Sequence, residues 1–168
     1  VSRLDSFIRR LEAQRTCLDW AIETVRPVSG AVLELGLGNG RTYDHLRSRL
    51  KGTREIFAFD RQVAAHPDCV PDADHLLLGD FRDTLPALAR RLGRCVALVH
   101  ADTGSGDEAA SRALAQALPA LLDPLLVLGA VIASDQSMAP DPSLDWSLAL
   151  LPQSVESGRY FLYRKLLR

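Results

Sequence analysis

Only three cysteines occur, at positions 17, 69 and 95, too few and too widely spaced for a disulfide framework or a zinc cluster. Each reads as a small buried hydrophobe, and a reducing cytoplasm is the expected setting. Charge of one sign is also lacking. With 20 basic and 21 acidic residues the formal net charge is −1, which gives no electrostatic footprint for nucleic acid. No uninterrupted apolar run is long enough to span a membrane. The longest stretch, 118–133, is broken by Pro119, Asp123, Pro124 and Gly129. The Arg-rich amphipathic start of the chain has no signal-peptide core. Repeats, low-complexity tracts and linkers are missing, so a single domain over 1–168 is expected.

What is present is a regular alternation of short apolar runs and amphipathic segments. Leu4, Phe7, Ile8, Leu11, Leu18, Ala21, Ile22 and Val25 recur at helical spacing and predict one helix with one buried stripe, serving as core or as a homodimer face. Pro27 and Gly30 end it. Strands are expected over 31–35, 55–59, 75–78, 95–100, 125–134 and 160–167, the last paired with a segment near 147–151. Helices are expected over 41–50, 82–92 and 107–122, with Pro86 near a first turn and Pro119 shortening or bending the last. Such alternation indicates a parallel sheet covered on both faces. Trp20 and Trp146 read as packing residues, and His45 as an exposed one.

The sharpest local signal is Glu34-Leu35-Gly36-Leu37-Gly38-Asn39-Gly40, which follows a predicted strand and opens a predicted helix. Glycines there permit a tight turn and close approach of backbone to a ligand. The free N–H groups around Arg41 and Thr42 suit an anionic group. Asp60 closes the next strand, 20 residues beyond Gly40, where a carboxylate can accept hydrogen bonds from both hydroxyls of a ribose.

With these residues in hand, the chain resembles the class I S-adenosylmethionine-dependent methyltransferases. The stretch 32–40 is similar to that family's first motif. Ile56-Phe57-Ala58-Phe59-Asp60, Leu77-Leu78-Gly79-Asp80-Phe81 and Leu98-Val99-His100-Ala101-Asp102 resemble its later landmarks, in order. The resemblance implies a three-layer Rossmann-like α/β sandwich. Its sheet would be mostly parallel and seven-stranded, with an antiparallel last strand. It implies a leading helix over 1–26, a cofactor core over 31–134, and a short acceptor-side segment with a terminal hairpin over 135–168. Glu34 would organise the loop. Gly36, Leu37, Gly38, Asn39, Gly40 and Thr42 would line the methionine portion of S-adenosylmethionine. Asp60 would hold the ribose, with Arg61 beside the adenine. Gly79, Asp80 and Phe81 would meet the adenine, and His100 and Asp102 would lie where the methyl group meets its acceptor, as the catalytic pair. Read locally, Asp80 is equally suited to capping the following helix.

Divalent-metal-dependent O-methyltransferases of the catechol type suggest a weaker arrangement, Mg²⁺ on Asp102, Asp135 and Gln136. Gln136 departs from that pattern, and no metal is the primary expectation. The balanced charge favours a small-molecule acceptor over nucleic acid or membrane. Two other functions share the glycine turn and the acid: an NAD(P)-dependent oxidoreductase, and a non-catalytic S-adenosylmethionine sensor or scaffold. The oxidoreductase fingerprint would place its last glycine one residue later, at Arg41.

Overall fold

The computed structural model describes residues 1–166. Helix α1 (Arg3–Thr24) is followed by β1 (Ala31–Leu35), α2 (Arg41–Leu50), β2 (Ile56–Asp60), β3 (Leu76–Leu78), α3 (Phe81–Leu92), β4 (Val96–Ala101), α4 (Glu108–Leu122), β5 (Leu126–Ser134), β6 (Trp146–Leu148) and β7 (Phe161–Lys165). The strands form one seven-stranded sheet in the order β3-β2-β1-β4-β5-β7-β6. Strands β1 to β5 pair in parallel, and β7 runs antiparallel between β5 and β6. The Rossmann-like architecture is therefore as expected, and strand ends fall within about a residue or two of those read from the sequence, except that β6 stops at Leu148 where the pairing segment was expected to reach Leu151. The expected end of the last strand at Leu167 lies outside the described residues.

Strands β1 and β4 are buried along their whole length because helices cover both faces. Side-chain alternation sorts neighbouring residues into two cores. Val32, Ala58, Leu98 and Val131 face α1 and α2, packing with Leu18, Ala21 and Leu46. Leu33, Phe59, Val99 and Ile132 face α3 and α4, packing with Leu85, Leu118 and Leu122. Each fully buried Leu contributes about 2 kcal/mol of transfer free energy.

Three helical details differ from expectation. The apolar stripe of α1 is not buried throughout. Cys17, Leu18, Ala21 and Ile22 are core, but Leu4, Phe7 and Ile8 are 66 %, 46 % and 45 % exposed, because the first turns of the helix overhang the end of the sheet. Pro119 does not shorten α4, which runs on to Leu122. Its ring is buried, and Leu118 and Leu122 on either side anchor the last turn in the core. Pro86 sits in the second turn of α3 rather than the first. Trp20 and Trp146 pack against the two cores as expected, Trp146 Nε1 donating to Asp123 at 2.8 Å. His45 is only part-exposed and bonds Asp19 at 3.0 Å. Among the described residues no helix is long and apolar enough to cross a membrane.

Candidate active site

Strands β1 and β4 are neighbours, but the helices that follow them leave to opposite faces, α2 to one core and α4 to the other. A crevice must open at the carboxyl ends of the strands at such a switch point. It is a cleft of about 780 Å³. Gly36 to Asn39 after β1, Arg41 and Thr42 at the start of α2, Asp60 and Arg61 after β2, and Phe81 at the start of α3 line one part of it. Asp102 to Ser105 after β4, and Phe7, Arg10, Leu11 and Gln14 on α1, line the other. Those α1 positions are spaced by three, four and seven residues, so the overhanging turns present one helical face to the cleft.

The glycines of the turn do three different things. All have positive φ: 90° at Gly36, 50° at Gly38 and 86° at Gly40. A Cβ on Gly36 would lie 2.3 Å from the Asp102 carbonyl oxygen, so this glycine lets the two strand ends close up. A Cβ on Gly40 would strike Cys69 Cβ at 2.4 Å. At Gly38 a Cβ would meet nothing within 4 Å, so the missing side chain leaves open cleft. Gly38 also donates its N–H to Asp60 Oδ2 at 2.8 Å, and Arg61 N–H donates to Asp60 Oδ1 at 2.7 Å. The turn after β1 and the acid closing β2 thus meet.

Glu34 and His100 lie below this surface. Both are fully buried and neither lines the cleft. His100 Nδ1 lies 2.7 Å from Glu34 Oε2, and Thr42 donates its hydroxyl to the other Glu34 oxygen. His100 Nε2 hydrogen-bonds Tyr160 Oη at 2.5 Å. Burial pushes the imidazole pKa down, but the Glu34 charge and hydrogen bond, with Asp102 and Asp135 beyond, outweigh it and the net direction is up. Burial, reinforced by the Asp102, Asp135 and Glu34 charges, holds the Tyr160 phenol far above its ordinary value. Tyr160 was not singled out in the sequence, where it reads as one more strand aromatic.

Asp102 is the carboxylate at the far end of the cleft. Gln14 Nε2 donates to its Oδ2 at 2.9 Å, and Arg10 pairs with its Oδ1 at 2.8 Å. Neither partner was foreseen, since both sit in a stripe that reads as core. Thr103 also lines the cleft, and its hydroxyl oxygen, buried beneath the wall, has no hydrogen-bond partner.

Asp80 caps α3, accepting from Arg82 N–H at 2.8 Å, and neither it nor Gly79 lines the cleft, whereas Phe81 does. The Mg²⁺ arrangement does not fit. Both Asp135 oxygens accept backbone N–H groups, from Thr103 and Gly104 at 3.0 Å each. Gln136 turns its amide N–H toward Asp135 rather than offering an oxygen, and Asp102 is already neutralised by Arg10. Burial raises the Asp135 pKa, which also disfavours a charged ligand there. The described residues contain no group of three His, Cys, Asp or Glu placed to hold a metal.

The cleft fits an adenosyl donor by its open Gly38 position and its acid at Asp60. Comparisons with known proteins point to the same donor. A family model described as S-adenosyl-L-methionine methyltransferase matches residues 1–165. The crystal structure of an S-adenosyl-L-methionine methyl transferase from Silicibacter pomeroyi DSS-3 is 44 % identical, with a TM-score of 0.90, covering 98 % of this chain and 99 % of that one. TrmN from Thermus thermophilus (18 % identity, TM-score 0.61, 91 % of this chain and 48 % of that one) shares the fold. So does SAM-bound CalS10, an amino pentose methyltransferase from Micromonospora echinaspora (19 % identity, TM-score 0.50, 90 % and 64 %). No curated protein matches.

Proposed function

This chain belongs to the S-adenosyl-L-methionine methyltransferase family, and we propose that its cleft holds the donor's ribose on Asp60 and the reacting methyl group beside Asp102. The methionine portion rests on the turn from Gly36 to Gly40. The adenine lies between Arg61 and Phe81, with Asp80 holding the end of α3 that carries Phe81. The observation that carries this reading is the meeting of Gly38 N–H with the Asp60 carboxylate, beside a position where no side chain fills the cleft.

When bound, the donor's sulfonium supplies an electrophilic methyl group. The chain therefore has to place two reactants in line and receive a proton from a hydroxyl or ammonium acceptor. Asp102 is the group at that end. Gln14 and Arg10 fix its two oxygens, and opening the Arg10 pair frees one of them for a proton. His100 is a positioning residue in this reading. Through Glu34 it holds Thr42 in the first turn of α2, and through Tyr160 it ties in the chain that leads to β7. The acceptor is read as a small molecule, since the chain's overall charge is balanced and offers no electrostatic footprint for nucleic acid. A reducing compartment, the cytoplasm, suits three unpaired cysteines.

Calorimetric titration tests the donor assignment. S-adenosylhomocysteine should bind one-to-one and NADH should not. Binding of NADH in place of S-adenosylhomocysteine would overturn it.

A further inference from the structure

Four arginines line the cleft, Arg10, Arg41, Arg61 and Arg82, against two carboxylates, Asp60 and Asp102. The cleft is therefore locally cationic in a chain whose formal net charge is −1. Both carboxylates already have partners within the protein, and Asp60 is the one assigned to the ribose. Asp60 accepts from Gly38 and Arg61 N–H groups, and Asp102 from Gln14 and Arg10. Arg61 and Arg82 share Asp80 only at 3.9 and 3.6 Å. Arg10 spends one nitrogen on Asp102 and its side chain stays 45 % exposed, so most of its five N–H donors have no protein partner. At the acceptor end, Arg10 therefore has free donors while the one carboxylate there, Asp102, is already paired.

Apolar surface frames the same place. Phe7 and Leu11 lie one turn apart on α1, on either side of Arg10, and both line the cleft, as does Leu114 of α4. We propose that the methyl acceptor is a small anion, an apolar body bearing a carboxylate or phosphate group, which Arg10 binds while Phe7 and Leu11 cover its apolar part. The surrounding arginines raise the local concentration of such a molecule. Engagement of Arg10 by the acceptor draws it from Asp102 and leaves that carboxylate able to take the acceptor's proton. The proposal rests on the donor placement above.

Calorimetry on the protein saturated with S-adenosylhomocysteine tests it, with benzoate and phenyl phosphate as probes and benzamide and phenol as neutral counterparts. The expected result is that at least one anion binds about tenfold or more tightly than its neutral counterpart, and that Arg10→Gln removes the preference. The two anions distinguish carboxylate from phosphate recognition. Equal binding of anion and neutral probe overturns the proposal, as does anion binding unchanged in Arg10→Gln. So does anion binding that S-adenosylhomocysteine abolishes, because Arg10 would then serve the donor's own carboxylate. Displacement of the anions by a short single-stranded RNA at lower concentration would assign the cleft to nucleic acid instead. Failure of S-adenosylhomocysteine itself to bind would remove the donor assignment and this proposal together. Donor binding without anion preference removes only this one.

Discussion

His100 and Glu34 face one another at 2.7 Å with neither side chain reaching solvent. A buried pair of this kind is costly to break from one side, because the surviving partner is left without its counter-charge. Glu34→Gln or His100→Asn should destabilise the protein by about 3 kcal/mol or more in urea denaturation. A cost under about 1 kcal/mol would show that the pair carries little.

The same pair sets a pH dependence. The His100 pKa is raised in the folded protein, the pull of Glu34 overcoming burial. The folded state then holds a proton that the unfolded chain has released above its ordinary value of 6.5. Stability from this group is fully present below that pH and is lost as pH rises through the folded value. The stability gap between wild type and His100→Asn should therefore narrow on going from pH 6 toward alkaline pH, read by urea midpoints. A gap that widens would reverse the sign of the argument.

Gly36 and Gly38 should separate by assay. Gly36→Ala puts a Cβ against the Asp102 carbonyl at 2.3 Å and should cost about 2 kcal/mol or more of folding stability. Gly38→Ala meets no protein atom within 4 Å, so it pays only the strain of its positive φ, about 1 kcal/mol. Its main effect should be weaker binding of S-adenosylhomocysteine, measured by calorimetry. Donor affinity untouched by Gly38→Ala would mean the open position is not where the donor lies.

Chelation should change nothing. Asp102 and Asp135 spend their oxygens on N–H donors. Excess EDTA or added Mg²⁺ should leave the melting temperature and the S-adenosylhomocysteine affinity unaltered. A Mg²⁺-dependent gain in either would restore the metal reading.

Much of this layout was legible in the sequence, and the exceptions share a cause. Strands covered on both faces must be continuous apolar runs, so β1, β2, β4 and β5 mark themselves, and the turn 36–40 is marked by glycine. The partners of Asp102 were not legible. Arg10 and Gln14 reach it across 92 and 88 residues, and their helix spacing is the same whether a face meets a core or a cleft. The available signal was polarity. Arg10 and Gln14 interrupt an apolar stripe three and seven residues after Phe7, and only the lower turns are free of such breaks. Tyr160 was hidden likewise, since its bond to His100 spans 60 residues. His100 read as a cleft residue because it closes a strand beside Asp102. It lies instead within β4, beside Glu34 in the β1–β4 register and covered by α1, whereas Asp102 on the same side lies just past the strand end.

The central claim is that the Asp60 carboxylate holds the donor's ribose, and the S-adenosylhomocysteine affinity of Asp60→Asn tests it most directly. Asparagine keeps an oxygen for Gly38 N–H and loses the charge. The account predicts an affinity about tenfold or more below wild type with the fold intact by circular dichroism. Wild-type affinity in that variant would contradict it.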